Sequence, residues 1–134
     1  MATIKTVYLG DLRTENEHLQ SGNKVITDAP TDNQGKGEYF SPTDMLATAL
    51  GSCILTIMGI KARDNGIDIK GTEVNVTKIM AADPRRVAEV VIEINFPKNG
   101  FSKDQKKIVE SVAGTSPVPL SLHPELIQTI KFNW

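Results

Sequence analysis

Apolar residues along this chain recur with two different periods, and each change of period marks a new element. Residues 3–9 (TIKTVYL) alternate with β-branched side chains and predict a strand. Residues 11–19 (DLRTENEHL) predict a polar, half-exposed strand with Leu12 and Leu19 at its ends. SGN at 21–23 is a turn, and KVITDA at 24–29 predicts a third strand. Together they predict a small antiparallel meander. Pro, Asp, Asn and Gly then crowd residues 30–42, which predicts a loop long enough for a functional or interface role.

The period then becomes helical. Ser41 suits an N-cap, Pro42 the first helical position, and Asp44 stands three residues after the cap. The helix is predicted to run to Asp64, where Asn65 and Gly66 supply a stop. Such a helix is about 34 Å long. From Met45 to Ile60 it carries no charge, and apolar residues cover nearly its whole circumference. A helix apolar all round needs cover all round. A chain of 134 residues has trouble enclosing it alone, so a second copy of the chain is the simplest source of cover.

Two alternating segments, 67–82 and 85–97, flank Asp83-Pro84 and predict a long hairpin. Residues 102–115 predict an amphipathic helix capped by Ser102, with Ile108, Val109, Val112 and Ala113 on one face and an end at Gly114. Residues 116–126 are punctuated by proline and hold one short helical turn at most. Residues 127–134 alternate again and predict a last strand. The chain thus reads as one α+β domain over 1–134, in the order β(3)-α-β(2)-α-β, with no repeat or linker.

Composition narrows the function. Fifteen basic residues against 16 acidic ones give a net charge of −1. That offers no footprint for nucleic acid or an anionic membrane. The apolar run 45–60 is shorter than a bilayer span and is interrupted by Thr48, Gly51, Ser52, Thr56 and Gly59. The first residues lack the basic and apolar stretches of a signal peptide. A single cysteine forms no internal disulfide, so a cytoplasmic location is expected.

That cysteine, Cys53, lies in the middle of the apolar helix. Two readings of it stand. Free cysteines are among the most buried residues, so it fits core packing; it equally fits a nucleophile lining a pocket. Arg13 on a polar strand is by default a solvated residue, and Ser116 a turn residue before proline. His18 and His123 have no Cys, Asp or second His at ligand spacing, so no metal is expected. KDQKK at 103–107 reads as a solvated helix face and PRR at 84–86 as a hairpin tip. Neither a phosphate-cradling glycine loop nor a specific Ser-His-Asp pattern is present.

The segment FSPTDMLATALGSC at 40–53 resembles the central-helix signature of the OsmC/Ohr family, the osmotically inducible and organic hydroperoxide resistance proteins. In that family a proline opens a buried helix and a cysteine follows eleven residues later; Pro42 and Cys53 keep that spacing. TSPVPLSL at 115–122 resembles the family's second motif, and LRTENEHLQSG at 12–22 resembles its second strand, whose arginine faces the thiol at the position of Arg13. The resemblance spans essentially the whole chain. It implies an OsmC-like fold with a long buried central helix, an intertwined homodimer with sites at the subunit interface, and no cofactor.

It also implies a chemistry. A thiolate at Cys53 attacks the O–O bond of an organic hydroperoxide and becomes a sulfenic acid. Cys53 is mid-helix, where the helix dipole helps little, so Arg13 is the cation expected to favour the thiolate. Thr43, Asp44 and Ser116 are candidate supporting residues. Two positions depart from the family pattern. Its second, resolving cysteine falls at Ser116, whose hydroxyl cannot close a disulfide. The glutamate that holds the arginine in the hydroperoxide-resistance branch falls at Thr43, and Asp44 points about 100° further round the helix. The expected enzyme is therefore a single-cysteine peroxidase reduced by an external thiol. The alternative is a non-catalytic, ligand-binding or structural member of the same fold.

Overall fold

A chain reversal sets the first strand pair. Gly10, Asp11 and Leu12 have φ of 85°, 50° and 63°, the left-handed backbone that a two-residue hairpin turn of this kind demands. β1 (Ile4–Gly10) and β2 (Arg13–His18) run antiparallel across it, and β3 (Lys24–Asp28) pairs with β2. The predicted meander is present, but Leu12 belongs to the turn and not to the strand. The structure, a computed structural model, describes all residues from Met1 to Trp134. They fall into two compact units, Met1–Leu46 and Ala47–Trp134.

The first unit holds the three-stranded sheet, the loop after it and the first turn of α1 (Pro42–Asp64). The loop contains a single 3-10 turn, Thr31–Asn33, and returns to the sheet through a bridge between Thr27 and Phe40. At Gly35 a Cβ would lie 1.7 Å from the carbonyl oxygen of Ala29, so only glycine fits there. The buried residues of this unit are Thr27, Asp28 and Ser41, all polar.

The second unit is built on the rest of α1 and a second sheet. β4 (Glu73–Ala81) and β5 (Arg86–Asn95) form the predicted hairpin around a cis Asp83-Pro84 bond. β6 (Ile127–Asn133) pairs with β5 in parallel. A parallel neighbour requires a crossover, and α2 (Lys103–Glu110) and α3 (Pro117–Ser121) lie within it. Leu50, Ile54 and Met58 of α1 and Val90, Ile92 and Ile94 of β5 are fully enclosed in one core. Each such side chain contributes about 1.5–3 kcal/mol relative to exposure. Gly51 lets the helix approach β4 closely, since a Cβ there would lie 2.8 Å from Val76 Cγ2.

Several element ends differ from those predicted. β4 starts at Glu73 because residues 67–72 form a turn instead: Thr72 N–H donates to the carbonyl of Ile69, and Gly71 has φ of 92°. α2 ends at Glu110, short of Gly114. The following bonds run from Ala113 N–H to the carbonyl of Glu110 and from Thr115 N–H to that of Val112, the tighter i→i+3 pattern of a helix running out. α1 itself has the predicted bounds. Ser41 Oγ accepts from Asp44 N–H, the Asp44 carboxylate accepts from Ser41 N–H, and Gly66 at φ 66° ends the helix.

Within one chain α1 is buried on one face only. Thr48, Ala49, Ser52, Thr56 and Ile60 are exposed, and 33% of its most apolar 18-residue window is buried. By length and hydropathy alone α1 would match a membrane span. The enclosed Leu50, Ile54 and Met58 make it the core helix of this unit.

Trp134 closes the second unit. Its ring stacks on Phe96 at 3.5 Å between centroids and meets Phe101 edge-on, while its indole N–H donates to Glu110 at 2.8 Å.

Candidate functional site

The candidate residues lie in both units. Arg13 opens β2, and the antiparallel register places it directly opposite Asp28 at the end of β3. Arg13 Nε donates to Asp28 Oδ1 at 2.7 Å and Nη2 to Oδ2 at 2.9 Å, a bidentate pair. Asp28 is only 2% exposed, and its Oδ2 also accepts the backbone N–H of Glu38 at 3.1 Å. The Glu38 carboxylate lies 3.4 Å from Arg13 Nη2, and the guanidinium carbon sits 4.7 Å from the centre of the Tyr39 ring.

This arrangement fixes charge as well as position. The hydrogen bonds from Arg13 hold the Asp28 carboxyl below its usual range, and the same bonds raise the Arg13 guanidinium further above its own. Both stay ionised at any physiological pH. Nε and Nη2 face carboxylates, so Nη1 keeps two N–H groups free for a ligand. Asp28 and Glu38 flank the guanidinium and reduce the field it projects beyond the cluster, while Lys36 adds a second positive charge acting on Asp28.

Asp44 and Thr43 serve the start of α1. Asp44 closes the capping box with Ser41, and the Thr43 hydroxyl lies 3.1 Å from that of Ser41. The carboxylate bound to Arg13 is therefore Asp28. Sequence reasoning missed Asp28, Glu38 and Tyr39. The register decides the first: the hairpin turns at 19–22, residues equidistant from that turn pair, and Arg13 meets Asp28, whereas a turn at 21–23 as read from the sequence would not match them.

In the second unit, Cys53 is a free, half-buried thiol eleven residues into α1, about 16 Å from the helix start. At that depth the N-terminal dipole contributes little. Ser116 precedes α3, is completely buried, and its hydroxyl makes no hydrogen bond. An unpaired buried hydroxyl destabilises by about 1–3 kcal/mol, whereas a thiol in the same space would behave as a small hydrophobe. His18 Nδ1 lies 2.7 Å from Ser21 Oγ, and His123 Nδ1 accepts the backbone N–H of Glu125 at 3.1 Å. Neither belongs to a group of three or more His, Cys, Asp or Glu side chains placed to hold a metal ion.

The family model described as OsmC-like protein matches residues 35–131. A crystal structure from Psychrobacter arcticus 273-4, described as an osmotic stress induced and detoxification response protein, is 58% identical with a TM-score of 0.94, covering 99% of this chain and 96% of its own. An OsmC-like protein from Mycoplasma pneumoniae is 20% identical with a TM-score of 0.76, covering 97% of this chain and 94% of its own. The organic hydroperoxide resistance protein OsmC of Legionella pneumophila is 14% identical with a TM-score of 0.74, covering 100% of both chains. The last two share the fold. No curated protein sequence matches the chain. With its family match over most of its length and a relative of high identity over nearly all of it, the chain belongs to the OsmC-like protein family.

Proposed function

We propose that the protein is a thiol-dependent peroxidase that detoxifies organic hydroperoxides through Cys53 alone. The observation that carries this reading is a single half-buried thiol on the central helix of an OsmC-like chain. Its structural neighbours include a protein named for organic hydroperoxide resistance and one named for detoxification response. The Cys53 thiolate attacks one peroxide oxygen, the O–O bond breaks, and its electron pair leaves with the alkoxide, which takes a proton to become an alcohol. The thiolate sulfur, oxidised by two electrons, becomes a sulfenic acid. Two equivalents of a small external thiol then return it to the thiol, releasing water and a disulfide. Arg13, from either subunit, favours the thiolate and donates Nη1–H to the peroxide oxygens.

The working unit in this reading is a homodimer. The exposed Ala49 and Ile60 of α1, beside the hydroxyls of Thr48, Ser52 and Thr56, and the exposed Ile4, Val7, Leu9 and Val25 of the first sheet supply the surface a second copy would cover. Light scattering at micromolar concentration should give twice the 14.6 kDa chain mass; a monomer would sink the dimer.

Intact mass after treatment with an organic hydroperoxide and a sulfenic-acid trap tests the chemistry. The wild type should gain one trap adduct, and Cys53→Ser none. Absence of the adduct in the wild type would leave the alternative, a non-catalytic member with Cys53 as packing. Ser116 favours that alternative, because the chain lacks a second thiol to complete an internal cycle.

A further inference from the structure

We infer that Asp28 is the positioning residue for Arg13: it selects the one guanidinium orientation that leaves Nη1 free to act. This inference rests on the proposed pairing of Arg13 with the Cys53 thiol. Three observations carry it. Asp28 is buried, so its carboxylate is fixed in place. It takes Nε and Nη2 of Arg13 in a bidentate fork, which sets the plane of the guanidinium as well as its distance. The same carboxylate holds Glu38 N–H, and the backbone N–H of Asp28 donates to the carbonyl of Phe40. Asp28 thus ties together the strand that carries Arg13 and the loop that carries Tyr39, the ring against which the guanidinium lies.

The carboxylate close by in sequence to Cys53, Asp44, is engaged with the N–H of Ser41 at the helix cap. Glu38 reaches Arg13 through one contact of 3.4 Å and is 58% exposed. A single long contact to an exposed side chain does not define an orientation. Asp28 does.

The sign of one measurement separates positioning from simple charge. As a bare negative charge, Asp28 would oppose a nearby thiolate, and its removal would lower the pH at which Cys53 ionises. As a positioning residue it acts through Arg13, and its removal should raise that pH. The rate of Cys53 alkylation by iodoacetamide, followed against pH, reads this without any peroxide turnover. Arg13→Ala should move the midpoint upward, a tenfold loss of thiolate at fixed pH for each unit. Asp28→Asn should move it in the same direction by a smaller step. The double variant should match Arg13→Ala alone, and Asp28→Glu, which keeps the carboxylate, should return the midpoint toward the wild-type value.

If Arg13→Ala raises the midpoint while Asp28→Asn lowers it or leaves it unmoved, the positioning role is overturned and the pairing of Arg13 with Cys53 survives. If the Asp28→Asn effect persists unchanged in the Arg13→Ala background, Asp28 acts structurally and the inference falls. If neither variant moves the midpoint, the pairing itself falls, and the positioning role with it. Should Asp28→Asn fail to fold, the side-chain NMR signals of Arg13 in the wild type decide. Restricted rotation of its guanidinium supports the fork, and rotation as free as that of a solvated arginine overturns it.

Discussion

The two units of this chain are held by different forces. From Ala47 onward, thirteen hydrophobic side chains form a closed core over α1 and the second sheet. Before it, no hydrophobic side chain is buried; the enclosed residues are Thr27, Asp28 and Ser41. Most of the large exposed hydrophobics of the chain, from Ile4 to Phe40, also lie there. The second unit is organised by removal of apolar surface from water. The first is organised by a β ladder and a buried polar knot. Hydrogen bonds give modest net stability but demand geometry. The unit that is weaker in core is therefore the one whose side chains are most exactingly aimed.

The largest effect should come from the core. Ile92→Ala, at a fully buried position, should destabilise the chain by about 2–5 kcal/mol. Val25→Ala, on an exposed strand face, should change stability by no more than about 0.5 kcal/mol in an isolated chain. Urea denaturation compares the two. A large, concentration-dependent effect at Val25 would show that a partner covers the first sheet, and would sharpen the contrast into one between a closed core and a shared one.

A smaller loss is expected at Gly35. A Cβ there would strike the Ala29 carbonyl oxygen, so Gly35→Ala should displace the 30–40 loop at a cost of about 1–3 kcal/mol. Limited proteolysis should cut the variant in that loop sooner than the wild type. Equal cleavage rates would mean the loop is held by something other than its fit to Ala29.

Ser116 should give an effect of opposite sign. Removing its unpaired hydroxyl in Ser116→Ala should leave stability unchanged or raise it by about 1 kcal/mol. Ser116→Cys should also be accommodated, and on peroxide treatment it should form a disulfide with Cys53, consuming both thiols. A folded Ser116→Cys protein whose new thiol stays free while Cys53 is oxidised would show that the two positions do not meet.

The smallest effect is a pH dependence of the polar knot. Because its bonds to Arg13 depress the Asp28 carboxyl, the linked stability is fully present above the unfolded carboxylate pKa of about 3.9 and is lost as pH falls through the lower folded value. Acid titration should therefore destabilise the wild type below about pH 4 more steeply than Arg13→Ala. Parallel acid limbs would show that the pair contributes nothing.

What the sequence showed and what it hid divide along the same line. The meander, α1 with its cap at Ser41 and stop at Gly66, the β4–β5 hairpin and the Ser102 cap were all legible, because each rests on local periodicity or on a cap within a few residues. The parallel pairing of β6 with β5 was not, since nothing local distinguishes a parallel from an antiparallel edge. For the candidate site, Cys53 follows from its spacing to Pro42, and Arg13 only from the resemblance of its strand to the family's second strand. Asp28 was hidden because its partner lies fifteen residues away across a hairpin whose register the pattern left open. Asp44 is the carboxylate nearer to Cys53 in the sequence, but it closes the helix cap with Ser41.

The Trp134 anchor gives the molecule a built-in pair of optical reporters. Trp134 is the sole tryptophan and is locked against Phe96 and Glu110 in the second unit. The two tyrosines, Tyr8 and Tyr39, both belong to the first. Tyr39 lies under the Arg13 guanidinium. Excitation selective for indole therefore follows the hydrophobic unit, while tyrosine absorbance follows the polar one. Loss of order in either can be timed separately in one cuvette, with no label and no substitution.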